Sequence, residues 1–386
     1  MSSDKNHNCQ VFHFDLYGTR EEKYEYLNHH SLSEVDWKEL KPEAPRYFFV
    51  NKDFALQKEY EKGFSTDELI IVRTVGVATY DDKNLVSDKP YDTQYNQSYL
   101  YRPFDLKWIN YDLQKVSRHR YDVMRHFVGK NNVGLICIRN NRDNNDTYFI
   151  TDRLADKTVI SPKDNASVFP LYLYKENMGK EERIVNFNKE VYETIAKGLN
   201  YLPCYDDNIL VDPTSEYNGV LYPQDLFDYI YAVLHSPSYR ERYKEFLKID
   251  FPRIPYPIDS EKFRYLVEKG EELRKLHLME DIPSKTGITF PVAGSLQVDC
   301  YRWQDNRVYI NSEQYFEGVP ESAWNFYIGG YQPAQKWLKD RKGMTLSFED
   351  VKHYGNIIYV LQQTERIMRG IEFDDGRKKS INVQTF

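Results

Sequence analysis

Nine basic side chains crowd between Arg102 and Arg142: Arg102, Lys107, Lys115, Arg118, Arg120, Arg125, Lys130, Arg139 and Arg142. Only three acids, Asp105, Asp112 and Asp122, oppose them, so this stretch carries +6 in a 386-residue chain whose net charge is −7. A basic island in an acidic chain is the footprint of a polyanion site. Arg102, Lys107, Arg118, Arg120, Arg125 and Lys130 are candidates for clamping phosphates. Asn131, Asn132, Arg139 and Arg142 have the side chains that read base edges. Arg302, Trp303, Gln304 and Arg307 offer a second face farther along, which an ordinary exposed hairpin explains equally well. The whole basic run is also compatible with the solvated faces of ordinary elements.

Composition narrows the alternatives. Hydrophobic residues make up 41% and charged residues 29% of the chain, the balance of a globular protein long enough for two or three cores. Aromatic content is 15%, with 33 Tyr, and tyrosine faces suit either nucleobases or sugar rings. A carbohydrate-active enzyme would need two carboxylates flanking a cleft. Asp206 with Asp207, or Glu313 with Glu317, are the available pairs, and nothing distinguishes them from solvated acids. The four cysteines, Cys9, Cys137, Cys204 and Cys300, are scattered without a C-x-x-C, which argues against a zinc site or a disulfide framework and for a reducing compartment. Adjacent Asp81 and Asp82 fit a turn better than a metal site. No apolar signal region opens the sequence, and no run of about 18 apolar residues occurs, so a cytoplasmic location is expected. No phosphate-binding G-x-x-x-x-G-K-[ST] loop, G-x-S-x-G or H-E-x-x-H is present. No cofactor or metal is therefore expected, and the residues support binding better than catalysis. A protein-interaction or scaffold module remains the other class.

The elements that must position these residues follow from periodicity. Val11–Leu16 reads as a strand, and Thr19 with Glu22 has the spacing of a capping box for a helix over Arg20–Asn28. Tyr47–Val50 and Leu69–Val72 read as short buried strands. His119–Val128 reads as a helix with Val123, Phe127 and Val128 inward and Arg118 and Arg125 outward. Val133–Arg139 and Thr147–Thr151 form a hairpin around the polar tip 140–146. Cys137, in an apolar run, belongs to the core. The hydrophilic run Lys175–Arg183 reads as a break. Beyond it the helical period dominates: Asn188–Gly198, Pro223–Leu234, Ser238–Lys248, Ser260–Met279 and Ser347–Met368, with strands over Val292–Ile310 turning at Asp305-Asn306. The tail from Asp374 is polar and expected to fray. The expected class is α+β, a mixed-sheet first half followed by a largely helical second half with a small β insertion.

Several stretches together resemble the type ISP restriction-modification enzymes and their type IIG relatives. They are Asp15-Leu16-Tyr17-Gly18-Thr19-Arg20-Glu21-Glu22-Lys23, Tyr47-Phe48-Phe49-Val50 with Asp53-Phe54, Tyr101-Arg102-Pro103-Phe104-Asp105, and Val123-Met124-Arg125-His126. The series continues with Tyr222-Pro223-Gln224-Asp225-Leu226-Phe227-Asp228, Phe251-Pro252-Arg253-Ile254-Pro255, Gln314-Tyr315-Phe316-Glu317-Gly318-Val319-Pro320, Ile328-Gly329-Gly330-Tyr331-Gln332 and Lys336-Trp337-Leu338-Lys339-Asp340-Arg341. Each is short; their order and reach over nearly the whole chain carry the resemblance. It implies that residues 1–50 are the tail of a methyltransferase-like domain, 51–183 the β-rich first half of a target-recognition domain, and 184–386 its helical second half, with strands about 292–316. It implies double-stranded DNA as partner, beside the methyltransferase and nuclease or translocase domains of a parent enzyme. The family's nuclease, helicase and methyltransferase motifs are not in this sequence, so the resemblance implies a recognition fragment or split subunit without catalysis of its own.

Overall fold

The computed structural model describes residues 9–44, 47–49, 53–140, 148–177, 179–205 and 217–373. The chain separates into two compact units, one ending at Glu61 and the other beginning at Lys62.

In the first unit, Val11–His13 pairs antiparallel with Lys38–Leu40. The expected capping box is formed: Thr19 N–H donates to Glu22 Oε2 at 2.6 Å and Glu22 N–H to Thr19 Oγ1 at 3.3 Å, opening the helix Arg20–His29. Phe14 stacks on Tyr26 at 5.7 Å and meets Trp37 edge-on at 6.4 Å, a small aromatic nucleus. The strand expected at Tyr47–Val50 is not formed among its described residues. Tyr47 has φ 43° and is exposed, as is Phe49. An apolar run supplies surface to bury, but a strand also needs a paired edge and extended dihedrals.

The second unit begins with two four-stranded sheets. One has the order Leu154–Ala155, Asn96–Arg102, Asp105–Asn110, Val86–Ser87. The other has Thr74–Val75, Ala166–Pro170, Gly134–Ile138, Tyr148–Thr151, the last pair being the expected hairpin. Every residue of Gly134–Ile138 and Ala166–Pro170 is buried, including Cys137, which explains the unbroken apolar pattern of the first. Leu69–Val72 departs from expectation: Thr66–Leu69 is a helical turn, and only Thr74–Val75 pairs as a strand. Glu68 Oε2 accepts from Ser65 N–H at 3.3 Å, a helix-start bond that outweighs the local β preference. The hydrophilic run Lys175–Arg183 is no break. It belongs to the antiparallel hairpin Tyr172–Asn177 with Lys180–Val185, turned at Gly179 with φ 75° and pairing Lys175 opposite Glu182.

The helical half follows as expected. Asn188 caps Lys189–Leu199, Pro223 opens Pro223–His235 at its first position, and Ser347 caps Phe348–Gly370. Pro223–His235 and Ser260–His277 pack closely: a Cβ on Gly270 would fall 1.8 Å from the Asp228 carbonyl oxygen. Arg274 bridges the same contact with two hydrogen bonds to Asp228, 2.7 and 3.0 Å. Burial pushes the Asp228 carboxyl up to about 6, against the pull of Arg274. A small antiparallel sheet, Arg302–Gln304, Arg307–Tyr309 and Tyr315–Glu317, turns at Asp305 and Asn306 with φ 51° and 58°. One apolar core joins Leu100, Ile136, Phe149 and Val168 of the sheets to Tyr354, Ile358 and Leu361 of the last helix. The fold is thus α+β, with sheets first and helices after. Among the described residues no helix is long and apolar enough to cross a membrane.

Candidate nucleic-acid interface

The hairpin Asn96–Asn110 and the segment 116–132 carry six of the nine basic side chains of the stretch. The helix expected over His119–Val128 shrinks to the single turn Tyr121–Met124. Arg120 sits at φ 57° and Gly129 at φ 63°, and a left-handed residue at each end stops a longer helix. Val123 and Phe127 are buried, Val128 is partly buried, and Arg118 and Arg125 are exposed, so the inward and outward faces are those read from the pattern.

Three candidates turn into the protein. Arg102 meets Asp156 at 2.9 Å, with side chains 13% and 7% exposed, and lies 3.9 Å over the Tyr101 ring. Asp156 also accepts from the Tyr99 hydroxyl at 2.8 Å and from Thr158 N–H at 2.7 Å. Burial, with the Asp156 charge, holds the Tyr99 phenol well above its ordinary pKa. Asn132 is buried; its amide donates to the His126 and Tyr172 carbonyls at 3.0 and 2.8 Å and accepts from the Val133 and Tyr172 N–H groups at 2.9 and 3.1 Å. Those four bonds use the whole capacity of the side chain, leaving none for a base edge. His126 beside it accepts from Tyr174 N–H at 3.0 Å, and burial, aided by Arg125, lowers it to about 4. Trp303 donates to the Val319 carbonyl at 2.8 Å and packs on the core. Arg102, Asn132 and Trp303 therefore hold the fold rather than face solvent.

Four further candidates sit at the surface with a carboxylate each. Lys107 is 3.0 Å from Asp88, Arg139 is 2.9 Å from Asp250, Lys130 pairs with Glu181, and Arg307 reaches Glu317 at 2.8 and 3.1 Å. Among the described residues no carboxylate pairs with Arg118, Arg120, Arg125 or Arg302. Arg120 keeps a buried Nε without a hydrogen-bond partner, Arg125 Nε reaches only the Asp122 carbonyl, at 3.3 Å, and Arg302 lies 5.1 Å over Tyr309. Asn131 is exposed, its carbonyl accepting from the Tyr174 hydroxyl at 2.5 Å. Arg142 lies outside the described residues.

Two residues not singled out in the sequence join this face. Arg118 lies 5.8 Å and Lys157 Nζ 4.4 Å from the centroid of the Tyr80 ring, which is 63% exposed. Tertiary pairing alone brings Tyr80 and Lys157 to Arg118, so no local pattern announces them. On the other side of Lys130 and Asn131 a cleft of about 520 Å³ opens toward Tyr222, Gln224 and Arg274. Its cations are balanced by Asp152, Asp225 and Glu280, so it offers a polyanion less than the Arg118–Arg125 face does.

The family model of the Type ISP C-terminal specificity domain matches residues 49–370. Among solved structures, a nuclease-deletion mutant of the Type ISP restriction-modification enzyme LlaGI, in complex with a DNA substrate mimic, superposes with TM-score 0.68 and 18% identity, over 96% of this chain and 33% of that one. The ATP-dependent Type ISP restriction-modification enzyme LlaBIII bound to DNA gives 0.66 and 17%, over 89% and 26%. A DrdV–DNA complex gives 0.72 and 16%, over 94% and 43%. The chain thus spans less than half of each of these proteins, and identities at this level establish a shared fold alone. No curated protein sequence matches it.

Proposed function

We infer function from the family this chain belongs to, the Type ISP C-terminal specificity domain: it recognises the DNA target for a restriction-modification enzyme and is non-catalytic on its own. The family match over residues 49–370 is the observation that carries this reading. The exposed cations Arg118, Arg125 and Arg302 and the partly buried Arg120, free of carboxylate partners among the described residues, are its proposed phosphate contacts. Asn131, Arg139 and Arg142 are the proposed base-reading side chains, with Lys107, Lys130 and Arg307 joining once their carboxylates release them. Residues 1–50 are proposed to continue a methyltransferase domain, the partner that completes the DNA cleft beside the nuclease and translocase parts. The overall charge of −7 supports that division of labour, because phosphate neutralisation dominates DNA affinity and an acidic chain supplies little of it alone. Type IIG enzymes are proposed to share this arrangement.

The test is binding of the chain to random-sequence duplex DNA at low salt, repeated across a salt series. The expected result is weak binding whose logarithm falls linearly with log salt, by about 0.9 per phosphate contacted. Binding indifferent to salt, with or without added methyltransferase, overturns the reading.

A further inference from the structure

Tyr80 is held in a conformation its sequence does not favour. Its φ is 55°, a left-handed backbone that a bulky residue keeps only where the surroundings over-determine it. Those surroundings are rigid on both sides. Ala78 and Arg118 exchange backbone hydrogen bonds of 3.1 and 2.9 Å, and Val77 N–H and Lys157 N–H bond to the Ala155 and Val77 carbonyls at 2.8 and 2.9 Å. Gly76 lies so near the next segment that a Cβ there would stand 2.6 Å from the Asp156 carbonyl. On the far side the buried Thr79 hydroxyl donates to Asp82 and accepts from Asp81 N–H at 3.2 Å. Three segments distant in sequence thereby present one exposed ring and two cations as a unit.

The neighbouring acids keep their charge but form no ion pair with that unit among the described residues. Asp81 is occupied by Asn84 at 2.9 and 3.0 Å, and Asp82 by Thr79 and by the Tyr101 hydroxyl at 3.1 Å. Among the described residues neither Arg118 nor Lys157 pairs with a carboxylate. An exposed aromatic face beside two cations that make no ion pair among the described residues matches a nucleotide: a π-face for the base and positive charge for the phosphates on either side. In intact duplex DNA the base faces are covered by their neighbours, so such a ring needs a step that is opened or kinked.

We propose that Tyr80, Arg118 and Lys157 form a stacking clamp for one unpaired or displaced base of the bound DNA, with the ring on the base and the cations on the flanking phosphates. The proposal rests on the DNA-recognition reading and assigns Tyr80 a contact that depends on base exposure rather than base identity.

The test compares a random-sequence duplex with the same duplex carrying one central unpaired base, against wild type, Tyr80→Ala, Tyr80→Phe, Arg118→Ala and Lys157→Ala. Wild type is expected to prefer the unpaired-base DNA by about tenfold, the order of one base–aromatic stack. Tyr80→Ala abolishes the preference with its salt slope unchanged, and Tyr80→Phe, which keeps the ring, retains it. Arg118→Ala and Lys157→Ala weaken both DNAs alike and each lower the salt slope by about one. A preference that survives Tyr80→Ala, or equal binding of the two DNAs by wild type, overturns the clamp while leaving DNA recognition standing. Absence of wild-type binding to either DNA, with the methyltransferase partner added as well as without it, overturns both.

Discussion

The hairpin Asn96–Asn110 and the segment 116–132 are neighbours in one basic stretch, yet their cations do opposite things. In the hairpin, Arg102 is sealed against Asp156 and Lys107 leans on Asp88. In the segment, Arg118 and Arg125 stand in solvent without a carboxylate partner among the described residues, and Lys130 is the cation that pairs, with Glu181. Both are cationic in sequence, the hairpin through Arg102 and Lys107 and the segment through Arg118, Arg120, Arg125 and Lys130. What separates them is where distant acids arrive in space, since Asp156 comes from the strand-following turn after Leu154–Ala155 and inserts beneath the hairpin. A basic run is therefore a pool from which the fold first takes its struts, and only the remainder is left for a ligand.

The largest expected effect tests the strut. Arg102→Ala leaves the Asp156 carboxylate buried and unpaired, which costs about 3–5 kcal/mol of stability. Chemical denaturation reads the loss directly. DNA affinity per folded molecule is expected to stay at the wild-type level. A variant of normal stability with weakened DNA binding breaks the comparison and returns Arg102 to the phosphate contacts.

The next effect comes from acid and marks the buried side of the same division. His277 lies in the core between helices, its Nδ1 2.5 Å from the Tyr231 hydroxyl and its Nε2 2.9 Å from Thr364 Oγ1. Thr364 Oγ1 gives its own proton to the Val360 carbonyl at 2.8 Å, so Nε2–H donates to Thr364 and Nδ1 accepts from Tyr231. Burial, reinforced by Arg240, lowers His277 to about 3, and His235 beside it is lowered well below its ordinary value by burial and Arg240. A histidine whose folded pKa lies below its unfolded one contributes stability that is complete above about pH 6.5 and is lost as pH falls toward the folded value. Unfolding free energy is expected to drop by roughly 3 kcal/mol between pH 7 and pH 4 on this account. His277→Gln should flatten that slope; an unchanged slope removes the histidine from the explanation.

How much of this was legible depended on the range of the interaction. Local signals survived folding: the Thr19–Glu22 capping box, the apolar spacing of Pro223–His235, the turn at Asp305-Asn306 and the hairpin Gly134–Ile138 with Tyr148–Thr151 all depend on residues close in sequence. The failures were local signals in competition. Leu69–Val72 looks like a strand until Ser65 and Glu68 begin a helical turn, and His119–Val128 looks like a helix until Arg120 goes left-handed. The candidate site was legible only as a segment. Which of its cations face out was readable from the pattern at Arg118 and Arg125, but Arg102 with Asp156, Asn132 with Tyr172 and Tyr80 with Lys157 are tertiary meetings that no spacing rule contains.

The outward side is tested by smaller changes. Arg125→Ala and Arg118→Ala are expected to alter stability by less than about 0.5 kcal/mol, since each side chain is exposed and without an ion pair among the described residues. Each should weaken binding to all DNA sequences alike, by about 1 kcal/mol, and lower the salt slope by about one. A loss confined to one target sequence would make the residue a base reader instead.

The smallest effect decides where the partnered surface cations belong. Arg139 is bonded to Asp250 at 2.9 Å, yet its side chain is 60% exposed, so the pair is worth little to the fold. Asp250→Asn removes the competing charge and leaves the guanidinium in place. If Arg139 belongs with the struts, the denaturation midpoint falls and DNA affinity does not change. If it belongs with the ligand-facing group, the denaturation midpoint stays at the wild-type level and affinity rises a few-fold at low salt, because a phosphate no longer displaces a carboxylate to reach it. The rise should vanish in the double variant Asp250→Asn with Arg139→Ala, which ties the gain to that one side chain. A rise that persists in the double variant reports only the loss of a negative charge near DNA and leaves Arg139 outside the contact.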